Sequence, residues 1–165
     1  MPALRTLTLM RHAKSSWEDA TLGDFDRPLN ARGLAAVPKM AAFLEKTLSP
    51  PDRVLCSPAR RTRETYELLT QHGILLPSCE FPGSLYLASR ETLQEILCQV
   101  PDSVSSVLII GHNPGLADFF AELAGHTEKF PTAAVASFDL ELSRWSELRR
   151  KFPCRLAVYQ TPKRL

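Results

Sequence analysis

The sequence predicts an α/β fold, a three-layer α/β/α sandwich around a mainly parallel central sheet. Two observations predict it. Segments with strand character alternate with segments of helical character along nearly all of the 165 residues. Three strand segments also run at their carboxyl ends straight into charged or polar residues, the place where open α/β sheets bind ligands.

The elements follow in order. Residues 5–10 (RTLTLM) alternate and favour a strand. A polar stretch from Arg11 to Asn30 follows, broken by Gly23 and Pro28. Asn30 is placed to cap a helix running to about Lys46, in which Pro38 is expected to bend the helix or delay its start. Residues 53–56 (RVLC) form a short buried strand after the turn at Ser49-Pro50-Pro51-Asp52. Ser57 then reads as the cap of a helix with Pro58 in its first position, reaching Gln71 and stopped by Gly73. Residues 74–88 are irregular, with a short strand near Cys79–Phe81, and Ser89 caps a helix to about Gln99. Residues 104–110 (VSSVLII) are the clearest buried strand, and the turn Gly111-His112-Asn113-Pro114-Gly115 leads into a helix over 116–124. Residues 133–142 and 154–160 read as two late strands, added antiparallel at one side of the sheet.

Composition narrows the function. Apolar residues at 44% and charged residues at 23% are those of a globular domain, and the length suits one core and one domain over 1–165. A formal net charge of +2 gives no reason to expect nucleic acid or a membrane surface as partner. No apolar stretch nears the roughly 18 residues of a membrane span, and the N-terminus lacks the pattern of a signal peptide. Cys56, Cys79, Cys98 and Cys154 form no C-x-x-C pair, which argues against a zinc site or disulfide framework. Free thiols suit a reducing cytoplasm. No cofactor and no metal are expected.

The chemistry gathers at the three strand ends. The first gives Arg11-His12, the second Cys56-Ser57-Pro58-Ala59-Arg60-Arg61, and the third Gly111-His112-Asn113. The second and third also open helices, whose N-terminal N–H groups favour an anion. Two histidines and at least two arginines therefore converge on one negative ligand. Phosphoryl transfer asks for these residue types. Charge spreads over three equatorial oxygens, which the planar guanidinium fork matches. A neutral imidazole is a competent nucleophile near pH 7, and a second histidine can donate to the oxygens or handle protons.

These residues carry a resemblance. Met10-Arg11-His12-Ala13-Lys14-Ser15-Ser16-Trp17 resembles the R-H-G/A signature of the histidine phosphatase superfamily, whose fold is the phosphoglycerate mutase-like one. Within it the chain is similar to the small phosphohistidine phosphatases of the SixA type. The likeness continues through Asp26-Arg27-Pro28-Leu29, Cys56-Ser57-Pro58-Ala59-Arg60-Arg61-Thr62, Gly111-His112-Asn113-Pro114-Gly115-Leu116 and Lys129-Phe130-Pro131-Thr132-Ala133. It implies a phosphoric monoester hydrolase with His12 as nucleophile, Arg11 and Arg61 on the phosphate and His112 as partner histidine. Arg61 is the arginine four residues after Ser57, and Arg60 and Arg63 are its solvated neighbours. Lys14, Ser15, Ser16 and Arg27 are candidates for the substrate entrance.

One feature departs from the family. Many members carry a carboxylate in mid-chain that protonates the leaving oxygen, whereas Glu80-Phe81-Pro82-Gly83-Ser84-Leu85-Tyr86-Leu87 offers only Glu80 nearby. Substrates with a good leaving group, such as phosphohistidine or an aryl phosphate, are therefore expected to react better than alkyl phosphates. The expected substrate is phosphohistidine in a signalling protein such as a phosphotransfer domain, or a small phosphorylated metabolite. The alternatives are a phosphoglycerate mutase-type phosphotransferase, for which the chain lacks enclosing loops, and a phosphate-binding module without turnover. A cysteine phosphatase is excluded by spacing, since position 62, six after Cys56, is threonine.

Overall fold

A computed structural model describes residues 3–165. Four strands form the parallel part of one sheet: β1 (Leu4–Arg11), β2 (Arg53–Cys56), β3 (Cys79–Glu80) and β4 (Ser106–Gly111). Between them run the helices α1 (Ala31–Thr47), α2 (Arg60–Gln71) and α3 (Arg90–Cys98), and after β4 comes α4 (Gly115–Ala124). The late strands β5 (Val135–Glu141) and β6 (Cys154–Gln160) complete the order β3-β2-β4-β1-β5-β6. β5 is antiparallel to both β1 and β6, as the sequence suggested for these late strands.

The period of two along each strand sorts side chains onto two faces. Leu7 and Leu9 of β1 and Val107 and Ile109 of β4 pack with Leu93 and Leu97 of α3 and Phe119 and Phe120 of α4. Met10, Leu108 and Ile110 point the other way and pack with Val37, Met40 and Leu44 of α1 and Leu69 of α2. Two cores, one on each side of the sheet, make the three layers.

Two local expectations are corrected. Pro38 neither breaks nor delays α1, which begins directly after Asn30, whose side chain accepts a hydrogen bond from the Gly33 N–H. The carbonyl that Pro38 leaves without an intrahelical donor is that of Leu34, an exposed residue, so water can serve it. Ser57 is not a helix cap. α2 starts at Arg60, and the Ser57 hydroxyl instead meets His112 and accepts from the Ala59 N–H. A buried tertiary partner has outcompeted the local capping bond.

Two glycines bring loops against the helices near the strand ends. A Cβ on Gly33 would stand 2.2 Å from the carbonyl oxygen of Lys14, and one on Gly115 1.9 Å from that of Ala88. The loops carrying Lys14 and Ala88 can therefore lie directly on α1 and α4.

Candidate active site

The carboxyl ends of β1, β2 and β4 lie side by side, since β4 sits between β1 and β2 in the sheet. His12 follows β1, Ser57 follows β2 and His112 follows β4, and the three backbones are tied together. The His12 N–H donates to Gly111 O at 3.1 Å and the Ser57 N–H to Ile110 O at 3.0 Å. The first turn of α2 adds Arg61, which is buried, as are both histidines. The His12 and His112 rings stand 5.4 Å apart between centroids.

The hydrogen bonds define the tautomers. His12 Nδ1 lies 2.7 Å from the carbonyl oxygen of Ala13, which can only accept. The proton is on Nδ1, and Nε2 keeps its lone pair. At His112, the Arg61 guanidinium donates to Nδ1 at 3.3 Å, so Nε2 carries the proton and gives it to Ser57 Oγ at 2.7 Å. Both imidazoles are neutral. Burial, reinforced by Arg61 and Arg11, lowers each from the usual histidine value to about 3. The segment that orients His12 is itself held, as the Ala13 N–H donates to Thr65 Oγ1 and the Thr65 hydroxyl donates to Arg61 O.

Arg11 ends β1 and donates to Phe130 O at 3.3 Å, the same carbonyl that accepts from Asn113. Burial and the neighbouring Arg61 bring the Arg11 guanidinium below its usual value. The Nε atoms of Arg11 and Arg61 are both buried without a hydrogen-bond partner. A buried donor left unpaired is costly, and two of them on neighbouring cations suit an anion. α2 and α4 add N-termini that lack side-chain caps.

The sequence-predicted residues thus separate into two groups. Arg11, His12, Arg61 and His112 come together. Arg27 and Ser15 are buried beside them but are occupied with each other, Arg27 donating to Ser15 Oγ at 2.9 Å. Ser16 gives its carbonyl to Arg27 and its hydroxyl to the Glu18 N–H, while Lys14 is exposed. Glu80 is exposed and paired with Arg53 on the β2–β3 edge, away from the histidines.

Sequence reasoning missed Asp24, Tyr86 and the Ser57 contact with His112. Asp24 reaches back to Arg61, which donates to its carbonyl at 2.7 Å and to Oδ2 at 3.1 Å. Arg27 donates twice to Oδ1, and the Tyr86 hydroxyl donates to Oδ2 at 2.6 Å. Partial burial pushes the Asp24 carboxyl up, but Tyr86, Arg61 and Arg27 together outweigh it and hold it at about 2. The Tyr86 ring stands edge-on to His112 at 5.6 Å, and its phenol is raised by burial and by Asp24. Leu87 and Ala133, both in loops beside the site, have the positive φ angles of 51° and 61° that non-glycine residues rarely adopt.

Comparison with known proteins identifies the family. Residues 7–80 match the model of the histidine phosphatase superfamily, branch 1. Phosphohistidine phosphatase SixA of Escherichia coli is 33% identical over 143 residues, covering 82% of this chain and 85% of that protein. A structure assigned to SixA from Nakamurella multipartitia superposes with a TM-score of 0.84 at 27% identity, over 98% of this chain and 99% of the other. The structure of the protein histidine phosphatase SixA complexed with tungstate gives 0.76 at 26% identity, over 96% and 98%. With its paired strand-end histidines and this likeness, the chain belongs to the histidine phosphatase superfamily and is a phosphatase with SixA-like structural relatives.

Proposed function

We propose that the chain is a single-domain cytoplasmic phosphatase that removes the phosphoryl group from phosphohistidine on a partner protein, by way of a covalent phosphohistidine on His12. The observation that carries this reading is His12 itself. Its Nδ1–H is tied to Ala13 O, so an unprotonated Nε2 remains on a buried, neutral ring next to two arginines with unpaired Nε donors.

The reaction has two steps. Nε2 of His12 attacks phosphorus while the P–N bond of the substrate breaks, and the substrate's imidazole, protonated from solvent on its other ring nitrogen beforehand, takes the electron pair and departs as a neutral ring. Arg11 and Arg61 hold the equatorial oxygens, where preorganised donors act most strongly. His112 turns its Nε2–H from Ser57 to the phosphoryl group. Water then attacks the phosphorylated His12, releasing phosphate and restoring the imidazole.

Features of the rim support a substrate carried on a protein. Trp17 is 73% exposed and lies over the Arg27 guanidinium at 3.5 Å. Phe25, packed on Tyr86, and Leu87 are also exposed. Apolar side chains around a polar pocket suit a protein surface. SixA of Escherichia coli bears the name phosphohistidine phosphatase, which agrees with the same chemistry. Among the described residues no helix is long and apolar enough to cross a membrane, and the four cysteines are free, as a reducing compartment would keep them.

The test compares kcat/KM on a histidine-phosphorylated protein, an aryl phosphate and an alkyl phosphate at one pH. Phosphohistidine and aryl phosphate are expected to be cleaved well and alkyl phosphate poorly. A preference for alkyl phosphates, or isomerisation of phosphoglycerate without release of phosphate, would overturn the assignment.

A further inference from the structure

We propose that Asp24, positioned by the Tyr86 hydroxyl, is the base that takes the proton from water when phosphorylated His12 is hydrolysed. This rests on the reading of His12 as phosphoryl carrier and assigns the group that completes its second step.

The mid-chain segment brings no carboxylate to the pocket. It brings Tyr86, which hands its O–H to a carboxylate from the loop after β1. Among the described residues, Asp24 is the carboxylate that touches a guanidinium of the phosphate pocket. It is held from three sides, by Arg61 of α2, Arg27 of its own loop and Tyr86 of the segment before α3, with the neutral His112 nearby. Each oxygen accepts two hydrogen bonds, Oδ1 from Nε and an Nη of Arg27, Oδ2 from Arg61 and Tyr86. Such a carboxylate has no lone pair to spare in the free protein.

A bound phosphoryl group changes that. It is the stronger claimant on Arg61, being more highly charged than a carboxylate. Once Arg61 turns to the phosphoryl oxygens, one Oδ2 lone pair is freed on the side where Arg61 had been, facing the phosphoryl group. Loss of the cation and arrival of a second anion also make Asp24 more basic. Tyr86 and Arg27 keep it in place. The base is therefore armed by the substrate.

The step balances. An O–H bond of water breaks and its proton goes to Asp24 Oδ2. An O–P bond forms, the P–N bond to His12 Nε2 breaks, and its electron pair returns to the imidazole. Inorganic phosphate leaves, and Asp24 releases its proton to solvent when Arg61 returns.

The experiment follows burst kinetics and phosphoenzyme in the intact protein, using an aryl phosphate whose phenol is a good leaving group. Asp24→Asn is expected to release about one equivalent of phenol at a rate close to wild type. It then turns over about 10²–10⁴-fold more slowly, the usual weight of proton transfer, while phosphohistidine accumulates on His12. Tyr86→Phe is expected to lower kcat less. It also moves the acid limb of kcat to higher pH, because losing a donor raises the pKa of Asp24. If Asp24 only braces Arg61, the burst itself slows, KM rises and no phosphoenzyme accumulates in either variant, which overturns the inference. Absence of any phosphoryl transfer in the wild-type protein would instead overturn the proposed function. Should Asp24→Asn not fold, the Tyr86→Phe pH profile decides alone, an unshifted limb counting against the proposal.

Discussion

Because His12 and His112 are buried as neutral rings, the folded protein should lose stability steeply as the pH falls below the ordinary histidine value. The unfolded chain binds a proton on each ring near pH 6.5, whereas the folded protein resists protonation until about pH 3. Between those values the unfolded state holds more protons, so stability rises with pH. For one ring, the loss between pH 7.5 and pH 5 is about 2 kcal/mol, from RT ln(1 + 10^(6.5−pH)). Two rings give about 4 kcal/mol, a large part of the stability of an ordinary domain. Asp24, lowered to about 2, acts with the same sign but only between about pH 4 and 2, so it stays out of this window. The assay is urea unfolding at pH 7.5, 6.5, 5.5 and 5.0, for the wild type and for His12→Gln combined with His112→Gln. His72 and His126 are exposed and are unchanged in the double variant. The wild type should lose about 4 kcal/mol more than the double variant. Equal losses in the two proteins would mean that the rings are charged or solvated, and the argument for a neutral nucleophile would fail.

Further outcomes are expected. His12→Ala should abolish turnover, and near-normal activity would show that the nucleophile lies elsewhere. Arg61→Ala should cost on the order of 10²–10³-fold in kcat/KM, as loss of a preorganised oxyanion donor does. A loss below tenfold in steady-state assays would remove Arg61 from the pocket. Activity should persist in excess chelator, since Arg11 and Arg61 supply the positive charge that metal ions supply elsewhere. Restoration of a lost rate by one divalent cation would contradict this. Gly33→Ala should destabilise by about 1–3 kcal/mol, the usual cost of overpacking, because its Cβ would collide with Lys14 O. A thermal midpoint unchanged from wild type would refute that contact.

The parts of the site visible in the sequence are those attached to regular elements. Arg11, His12 and His112 stand where an apolar strand gives way to polar residues, and such a boundary is written in the chain itself. Arg61 shares the first turn of α2 with Arg60 and Arg63, and only the Ser-Pro-x-x-Arg spacing of the resembled family singles it out. Asp24 has no such marker. It lies in a polar loop with a single 3-10 turn at Asp24–Asp26, and only the folded chain carries it back to Arg61, 37 positions away. A loop aspartate with that role looks like any solvated one. Tyr86 is hidden for another reason, since nothing in its own segment marks a hydroxyl that bonds a carboxylate 62 positions away. Ser57 shows how tertiary contacts override local rules. Ser-Pro reads as a helix start, yet the hydroxyl serves a histidine 55 positions further on. Pro38 shows the same at the level of the backbone, because the carbonyl it leaves without a donor belongs to an exposed residue, Leu34, where the helix can tolerate the residue that usually breaks it.

The destination of the phosphoryl group decides between His12 and every other nucleophile. The most direct measurement is to mix the protein with a phosphohistidine or aryl phosphate donor, quench in alkali within the first turnover, and map the phosphorylated peptide. Phosphohistidine should be found on His12, attached through Nε2, and should be absent from a His12→Ala protein treated in the same way. Phosphate on His112 or on a serine, or full turnover with no covalent phosphoryl group at any time, would contradict the central claim.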